Sequence, residues 1–150
     1  MLSIQPAADL GDVRALFLEY ANSLGVDLSF QNFDEELASL PGDYDPILLG
    51  YWNGALAGCV TMHPYGDGVC EMKRLYVRPE LRAYGIGRAL ALRIIDEARR
   101  RGYRAMRLDT LPSMQGAMRL YESLGFVDIE AYRYNPIEGS RFMEVYLGRK

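Results

Sequence analysis

The residues best suited to chemistry in this sequence lie in the stretch RAYGIG, from Arg82 to Gly87. Glycines at positions 85 and 87 let the backbone approach an anion closely, and no acidic residue stands between them. The helical pattern that follows offers unpaired N–H groups and the positive end of a helix dipole. A pyrophosphate there would accept hydrogen bonds from successive main-chain amides, with Arg82 and Arg88 adding positive charge at the rim. The two glycines alone fit a phosphate-binding loop and a plain tight turn before a helix equally well, and the surrounding sequence decides in favour of the phosphate-binding loop.

Two other phosphate-binding loops do not fit these residues. A P-loop requires a lysine followed by serine or threonine after its last glycine, and the stretch has neither. A dinucleotide fingerprint requires glycine or alanine at the position of Leu90. Asp109 lies about 20 residues further on, where a ribose-binding acid would stand, but that motif opens a parallel sheet. Here a run of antiparallel strand patterns comes first, so both loops are excluded.

The elements that would position this loop are predicted from periodicity and turn residues. They form an α+β fold in the order β-α-α-β-β-β-α-β-α-β-β, a mixed, mostly antiparallel sheet of about seven strands flanked by four helices. The strands are predicted at 2–5, 47–52, 55–63, 69–77, 103–111, 126–134 and 141–147. The strand ending at Val77 and the one following the next helix should be parallel, because a helix crosses over between them.

The helices have their own signals. Asp9 caps the first, and the second carries Phe30, Phe33, Leu37 and Leu40 on one face before Pro41 stops it. The third begins after the glycine turn and ends at Gly102, and the fourth ends at Gly125. In the third helix a single apolar stripe is formed by Ile86, Leu90, Ala91, Ile94, Ile95 and Ala98.

Length and composition limit the class of protein. A chain of 150 residues with 49% hydrophobic and 25% charged residues is typical of one globular domain, which we predict to span residues 1–150. The net charge of −3 argues against a nucleic-acid partner. We expect no membrane span and no signal peptide. We interpret Cys59 and Cys70 as buried thiols in a reducing cytoplasm. His63 is the sole histidine, which excludes a histidine zinc cluster, and we expect no metal.

Two segments together resemble the GNAT superfamily of acetyl-CoA-dependent N-acetyltransferases. They are LYVRPELRAYGIGRAL, residues 75–90, and LYESLGF, residues 120–126. The resemblance implies that the loop at Gly85 holds the coenzyme A pyrophosphate and that the backbone of residues 75–77 pairs with the pantetheine arm like an added strand. The residues it assigns to coenzyme A binding are Leu75, Tyr76, Val77, Arg82, Ala83, Tyr84, Gly85, Ile86, Gly87 and Arg88.

The resemblance also suggests catalytic residues. Glu71 lies where some members carry a general base that takes the proton of the amine; the alternative is a salt bridge to a neighbouring basic residue. Tyr121 lies where members often carry a general acid for the leaving thiolate; the alternative is a packing role. A backbone N–H near Leu75 or Tyr76 would stabilise the oxyanion. Met114 stands where many members have an asparagine that contacts pantetheine, so Ser113 or the backbone substitutes there, or the contact is absent.

The expected reaction is direct transfer of an acetyl group from acetyl-CoA to a primary amine of a small molecule, an amino acid or similar. Arg74 or Arg141 would pair with an acceptor carboxylate and Glu35 or Glu36 with an ammonium, although for any one of them ordinary surface charge is the better explanation. The alternatives are a protein N-acetyltransferase and an acyl-CoA-binding sensor without turnover. The aromatic content of FMEVYL, residues 142–147, is compatible with a homodimer formed through the C-terminal strands.

Overall fold

A computed structural model describes residues 1–24 and 33–148 of the chain, so the predicted position of Phe30 lies outside the described residues. The strands are β1 Leu2–Pro6, β2 Ile47–Trp52, β3 Ala55–Gly66, β4 Val69–Val77, β5 Ala105–Thr110, β6 Val127–Ile129 and β7 Arg141–Tyr146. The helices are α1 Leu10–Leu24, α2 Phe33–Ala38, α3 Ile86–Arg100 and α4 Gln115–Ser123, with a 3-10 helix at Pro79–Tyr84. The predicted α+β fold is confirmed, and the 3-10 helix is a fifth helical element among the described residues that periodicity did not reveal.

The strands form one seven-stranded sheet in the order β1-β2-β3-β4-β5-β7-β6. The hairpin between β2 and β3 turns at Asn53 and Gly54, whose positive φ angles of 52° and 86° suit a tight two-residue turn. The predicted parallel pair is confirmed, because Val69 pairs with Ala105 and Glu71 with Arg107. The last strand, β7, lies between β5 and β6 and is antiparallel to both.

The chain divides into two compact units, and the first comprises residues 1–63 and 72–94. Its helix α1 begins as predicted, because the Asp9 carboxylate accepts a hydrogen bond of 2.8 Å from the backbone N–H of Gly11. The core of this unit is apolar and fully enclosed around Leu16, Phe17 and Leu49. All six residues of the predicted α3 stripe are buried, so periodicity located the buried face of this helix correctly.

The second unit comprises residues 64–71 and 95–150 and contains one correction. A strand was predicted over 126–134, but β6 ends at Ile129. The residues that follow are not part of a strand, and two of their side chains have partners elsewhere. Tyr132 hydrogen-bonds to the Glu71 carboxylate, and the side-chain oxygen of Asn135 accepts a hydrogen bond from the N–H of Ile137 in a local turn.

Across residues 1–24 and 33–148, no helix is both long enough and apolar enough to cross a membrane. The same residues contain no cluster of three or more histidine, cysteine, aspartate or glutamate side chains arranged to bind a metal ion.

Candidate active site

The predicted phosphate loop lies at the junction of the 3-10 helix and α3, within the first unit. Gly85 closes the 3-10 helix in the left-handed conformation, with φ 74° and ψ 17°. A side chain there would be strained even though the surrounding space is open. Helix α3 follows at Ile86 and has no acidic residue in its first turn. An exposed left-handed glycine before a helix N-terminus without acidic residues fits a phosphate group.

Two side chains of the loop are held by neighbouring residues of the same unit. The Nε of Arg82 donates a 2.8 Å hydrogen bond to the carbonyl oxygen of Val77, and its guanidinium lies 5.7 Å from the Tyr76 ring centroid. Tyr84 stacks on Trp52 at the end of β2, with ring centroids 4.8 Å apart. Arg82 therefore supports the loop in addition to carrying its charge. Sequence reasoning did not identify Trp52, because its partner is distant along the chain.

The strand segment expected to bind pantetheine, residues 75–77, follows an irregularity in β4. Arg74, in the middle of the strand, has a positive φ of 62°, a conformation that costs a non-glycine residue roughly 1–3 kcal/mol. Gly58 on β3 permits a close approach, because an added Cβ would lie 2.5 Å from the carbonyl oxygen of Tyr76. The carbonyl of Val77 already accepts the Arg82 hydrogen bond, so the three predicted backbone partners are not equivalent.

The predicted base, Glu71, lies in the second unit with its side chain fully buried. Its Oε2 accepts a 2.7 Å hydrogen bond from the Tyr132 hydroxyl and pairs with an Nη2 of Arg133 at 2.5 Å. The salt bridge considered as the alternative to a catalytic role is therefore present. Burial, followed by the charge of Glu71 and its hydrogen bond, raises the pKa of Tyr132 well above its usual range. This hydroxyl is a neutral donor to Glu71 at physiological pH.

A second carboxylate lies beside the same arginine. Asp109 on β5 is 3.9 Å from an Nη1 of Arg133, and its other oxygen accepts a 3.1 Å hydrogen bond from the side-chain amide of Asn135. Burial lowers the pKa of Arg133, but its hydrogen bond and charge interaction with Glu71 outweigh that effect and raise it. Arg133 therefore stays charged. Neither Arg133 nor Asn135 was predicted as a site residue, and no local motif distinguishes them.

The predicted acid, Tyr121, lies on α4 in the second unit and is 5% exposed. Its ring contacts Phe126 at a centroid distance of 5.6 Å, and the backbone N–H of Phe126 donates to its carbonyl oxygen. The LYESLGF segment thus folds back on itself, with Gly125 at φ 97° allowing the reversal. Met114 caps α4 without a side-chain hydrogen bond to the helix backbone, and its sulfur lies 3.9 Å from the Thr110 hydroxyl.

The arginines considered for an acceptor carboxylate already have acidic partners. Arg74 is buried and forms hydrogen bonds of 2.9 and 2.7 Å with the Glu36 carboxylate. Arg141 pairs with Asp128 and Glu122. An acceptor would have to displace these carboxylates to use either arginine.

The cysteines are buried as predicted. Burial raises the pKa of the Cys59 thiol well above its usual range and that of Cys70 to about 12, so both remain protonated at neutral pH. A protonated, buried thiol is a poor nucleophile.

Comparison with known proteins agrees with these observations. The acetyltransferase (GNAT) family matches residues 12–126, and the chain belongs to this family. A protein of Schizosaccharomyces pombe named as an uncharacterized N-acetyltransferase is 42% identical over 147 residues, covering 94% of this chain and 90% of the relative. The L-amino acid N-acyltransferase MnaT of Escherichia coli is 34% identical over 86 residues, covering 55% of this chain and 50% of the relative.

A solved structure extends the likeness to the whole chain. YncA of Salmonella typhimurium, solved with its cofactor acetyl-CoA, superposes with a TM-score of 0.73 at 26% identity, covering 98% of this chain and 94% of the other. The protein is thus an acetyl-CoA-dependent N-acetyltransferase, with acetyl-CoA as its co-substrate.

Proposed function

We propose that residues 1–150 act as a single catalytic domain that transfers the acetyl group of acetyl-CoA directly to the primary amine of a small molecule, an amino acid or similar. The observation that carries this proposal is the fully buried Glu71 carboxylate, which is paired with the partly exposed Arg133. Burying a charged pair is costly and is weak evidence for a stabilising role. A proton acceptor for an amine is a use that justifies such a group.

In this proposal the loop around Gly85 and the N-terminus of α3 bind the pyrophosphate, with Arg82 and Arg88 adding charge. Backbone groups of residues 75–77 bind pantetheine, and an N–H near Leu75 or Tyr76 stabilises the oxyanion. Acetyl-CoA supplies an already reactive thioester, so no enzyme nucleophile is required. The buried, protonated state of the thiols of Cys59 and Cys70 supports transfer without an acyl-enzyme.

Two side chains handle protons. Glu71 accepts a proton from the ammonium of the acceptor, and Tyr121 donates a proton to the sulfur as the C–S bond breaks. The likeness to an L-amino acid N-acyltransferase supports an amino acid as acceptor.

The test is release of the coenzyme A thiol from acetyl-CoA in the presence of amino acids, polyamines, aminoglycosides and peptides. Tyr121→Phe is run beside the wild type and should lower kcat on the order of a hundredfold while sparing acetyl-CoA affinity, because general acid catalysis contributes about this much. Release that depends on a small amine supports the proposal, and release only with peptides contradicts the small-molecule acceptor. An unchanged kcat in Tyr121→Phe contradicts the role of the tyrosine alone.

A further inference from the structure

The two residues of the Glu71–Arg133 ion pair differ in their exposure to solvent. The side chain of Glu71 is 0% exposed, whereas that of Arg133 is 26% exposed. Arg133 therefore connects the buried carboxylate of the predicted base to the protein surface. Because the Glu71 side chain has no exposed surface, an amine can reach it only if a side chain packed against it moves, and Arg133 is one such side chain.

Some N–H donors of the Arg133 guanidinium have no close acceptor among the contacts described above. A guanidinium carries five N–H donors, and those of Arg133 contact Glu71 at 2.5 Å and approach Asp109 only to 3.9 Å. The distance to Asp109 is too long for a hydrogen bond, so the charge at one edge of the guanidinium is only weakly balanced. The Tyr132 ring, 5.1 Å from the guanidinium carbon, supports the group from another direction. The free edge of a planar guanidinium can donate two parallel hydrogen bonds to the two oxygens of a carboxylate.

We propose that the acceptor is a free α-amino acid that inserts into this ion pair, with Arg133 as the residue that selects it. This inference rests on the proposed function. The acceptor carboxylate draws Arg133 away from Glu71, and the acceptor ammonium takes the place of Arg133 at the Glu71 carboxylate. A zwitterion compensates both separated charges at once, whereas a simple amine brings no carboxylate for Arg133, whose next acidic neighbour is Asp109 at 3.9 Å. The buried pair is thus suited to a molecule that carries an ammonium and a carboxylate on the same carbon atom.

The proton balance follows from this arrangement. The ammonium gives one proton to Glu71, the nitrogen lone pair forms the C–N bond to the acetyl carbon, and the C–S bond breaks. Tyr121 protonates the sulfur and recovers a proton from the acylated nitrogen, while Glu71 releases its proton to water. The products are an N-acetyl amino acid, the coenzyme A thiol and one proton. The acetylated product has no cation for Glu71, so the return of Arg133 to Glu71 favours its release.

The first test uses the unaltered protein and matched acceptors. Each of the common L-amino acids is compared with its amide and with the amine that lacks the carboxyl group, and kcat/KM is measured by thiol release. The amino acid should exceed its amide on the order of ten- to a hundredfold, the worth of a charge-assisted hydrogen bond. The amine of the amide loses its proton more easily than that of the amino acid. Intrinsic reactivity therefore favours the amide, and a preference for the amino acid must come from binding its carboxylate.

Variants then assign the preference to Arg133. Arg133→Gln should remove most of the discrimination between amino acid and amide, mainly through KM for the amino acid, and Arg133→Lys should restore part of it. Arg107→Gln is the matched control, because Arg107 is also 26% exposed, also lies beside Tyr132 and pairs with Glu144 instead. Its discrimination should equal that of the wild type. Circular dichroism and thermal melts verify that each variant is folded.

The outcomes separate the two hypotheses. If amides and simple amines react as well as amino acids, the insertion of a zwitterion is wrong, although acetyl transfer to a small amine stands. If no amino acid, amide or amine reacts while acetyl-CoA binds, the small-molecule acceptor fails as well. Equal loss of discrimination in Arg133→Gln and Arg107→Gln would also overturn the role of Arg133.

Discussion

Replacing Glu36 by glutamine is expected to destabilise the protein more than the loss of an exposed ion pair would. Arg74 and Glu36 join β4 to α2, and their side chains are 2% and 13% exposed. The carboxylate accepts hydrogen bonds from both Nε and an Nη2 of the guanidinium, which also lies 5.5 Å from the Tyr20 ring centroid and 5.3 Å from that of Phe33. Two aromatic rings and a buried strand leave little water to solvate the charge once the carboxylate is gone.

The magnitude follows from this burial. Removing one partner of a buried ion pair costs about 3–5 kcal/mol, and the amide of glutamine keeps one hydrogen bond, so the expected loss is about 3 kcal/mol. For a chain of this size 1 kcal/mol shifts Tm by about 2–4 °C, so Tm should fall by about 6–12 °C. Calorimetry or a circular dichroism melt at neutral pH measures the shift directly.

An exposed pair on α3 provides the control. Asp96 and Arg100 are 57% and 61% exposed, so Asp96→Asn should cost less than about 1 kcal/mol. The double variant Glu36→Gln with Arg74→Met removes both buried charges and should recover part of the loss. Similar Tm values for Glu36→Gln and Asp96→Asn, or a double variant less stable than Glu36→Gln, would refute the argument that the buried Arg74 depends on the Glu36 carboxylate for its stability.

Three further predictions concern the loop and the pH dependence of stability. Gly85→Ala should weaken coenzyme A binding in calorimetric titration because a residue with a Cβ is strained at φ 74°, and an unchanged affinity would contradict the phosphate assignment. Trp52→Leu removes the stack that supports the loop and should raise KM for acetyl-CoA but leave that for acetyl-pantetheine, which lacks the pyrophosphate, unchanged; an equal rise for both would contradict a loop effect. The hydrogen bond from Arg78 lowers the pKa of Glu19 below 4.5, so its stabilisation is present above that pH and is lost as pH falls through the lowered value. The Tm difference between wild type and Glu19→Gln should therefore shrink below pH 4.5, and a difference that grows on acidification would reverse the sign of the argument.

The sequence by itself determined the features that depend on neighbouring residues. Asn53 and Gly54 require a tight turn whatever surrounds them, and the stripe on α3 follows from a period of 3.6 residues. The parallel pairing of β4 and β5 also followed, since a helix between two strands restricts their direction.

Only the tertiary structure decided which side chains meet. Tyr132 lies 61 positions from Glu71 along the chain, and no local pattern links them. The same interaction ended β6 early, because hydrogen bonding and burial outweighed the strand propensity of the segment that contains Tyr132. Two other contacts likewise form only when the strands and helices pack: the stack of Tyr84 on Trp52 and the ion pair of Arg74 with Glu36. Periodicity predicts the buried face of an element, but the partner of a buried charge depends on contacts between distant segments.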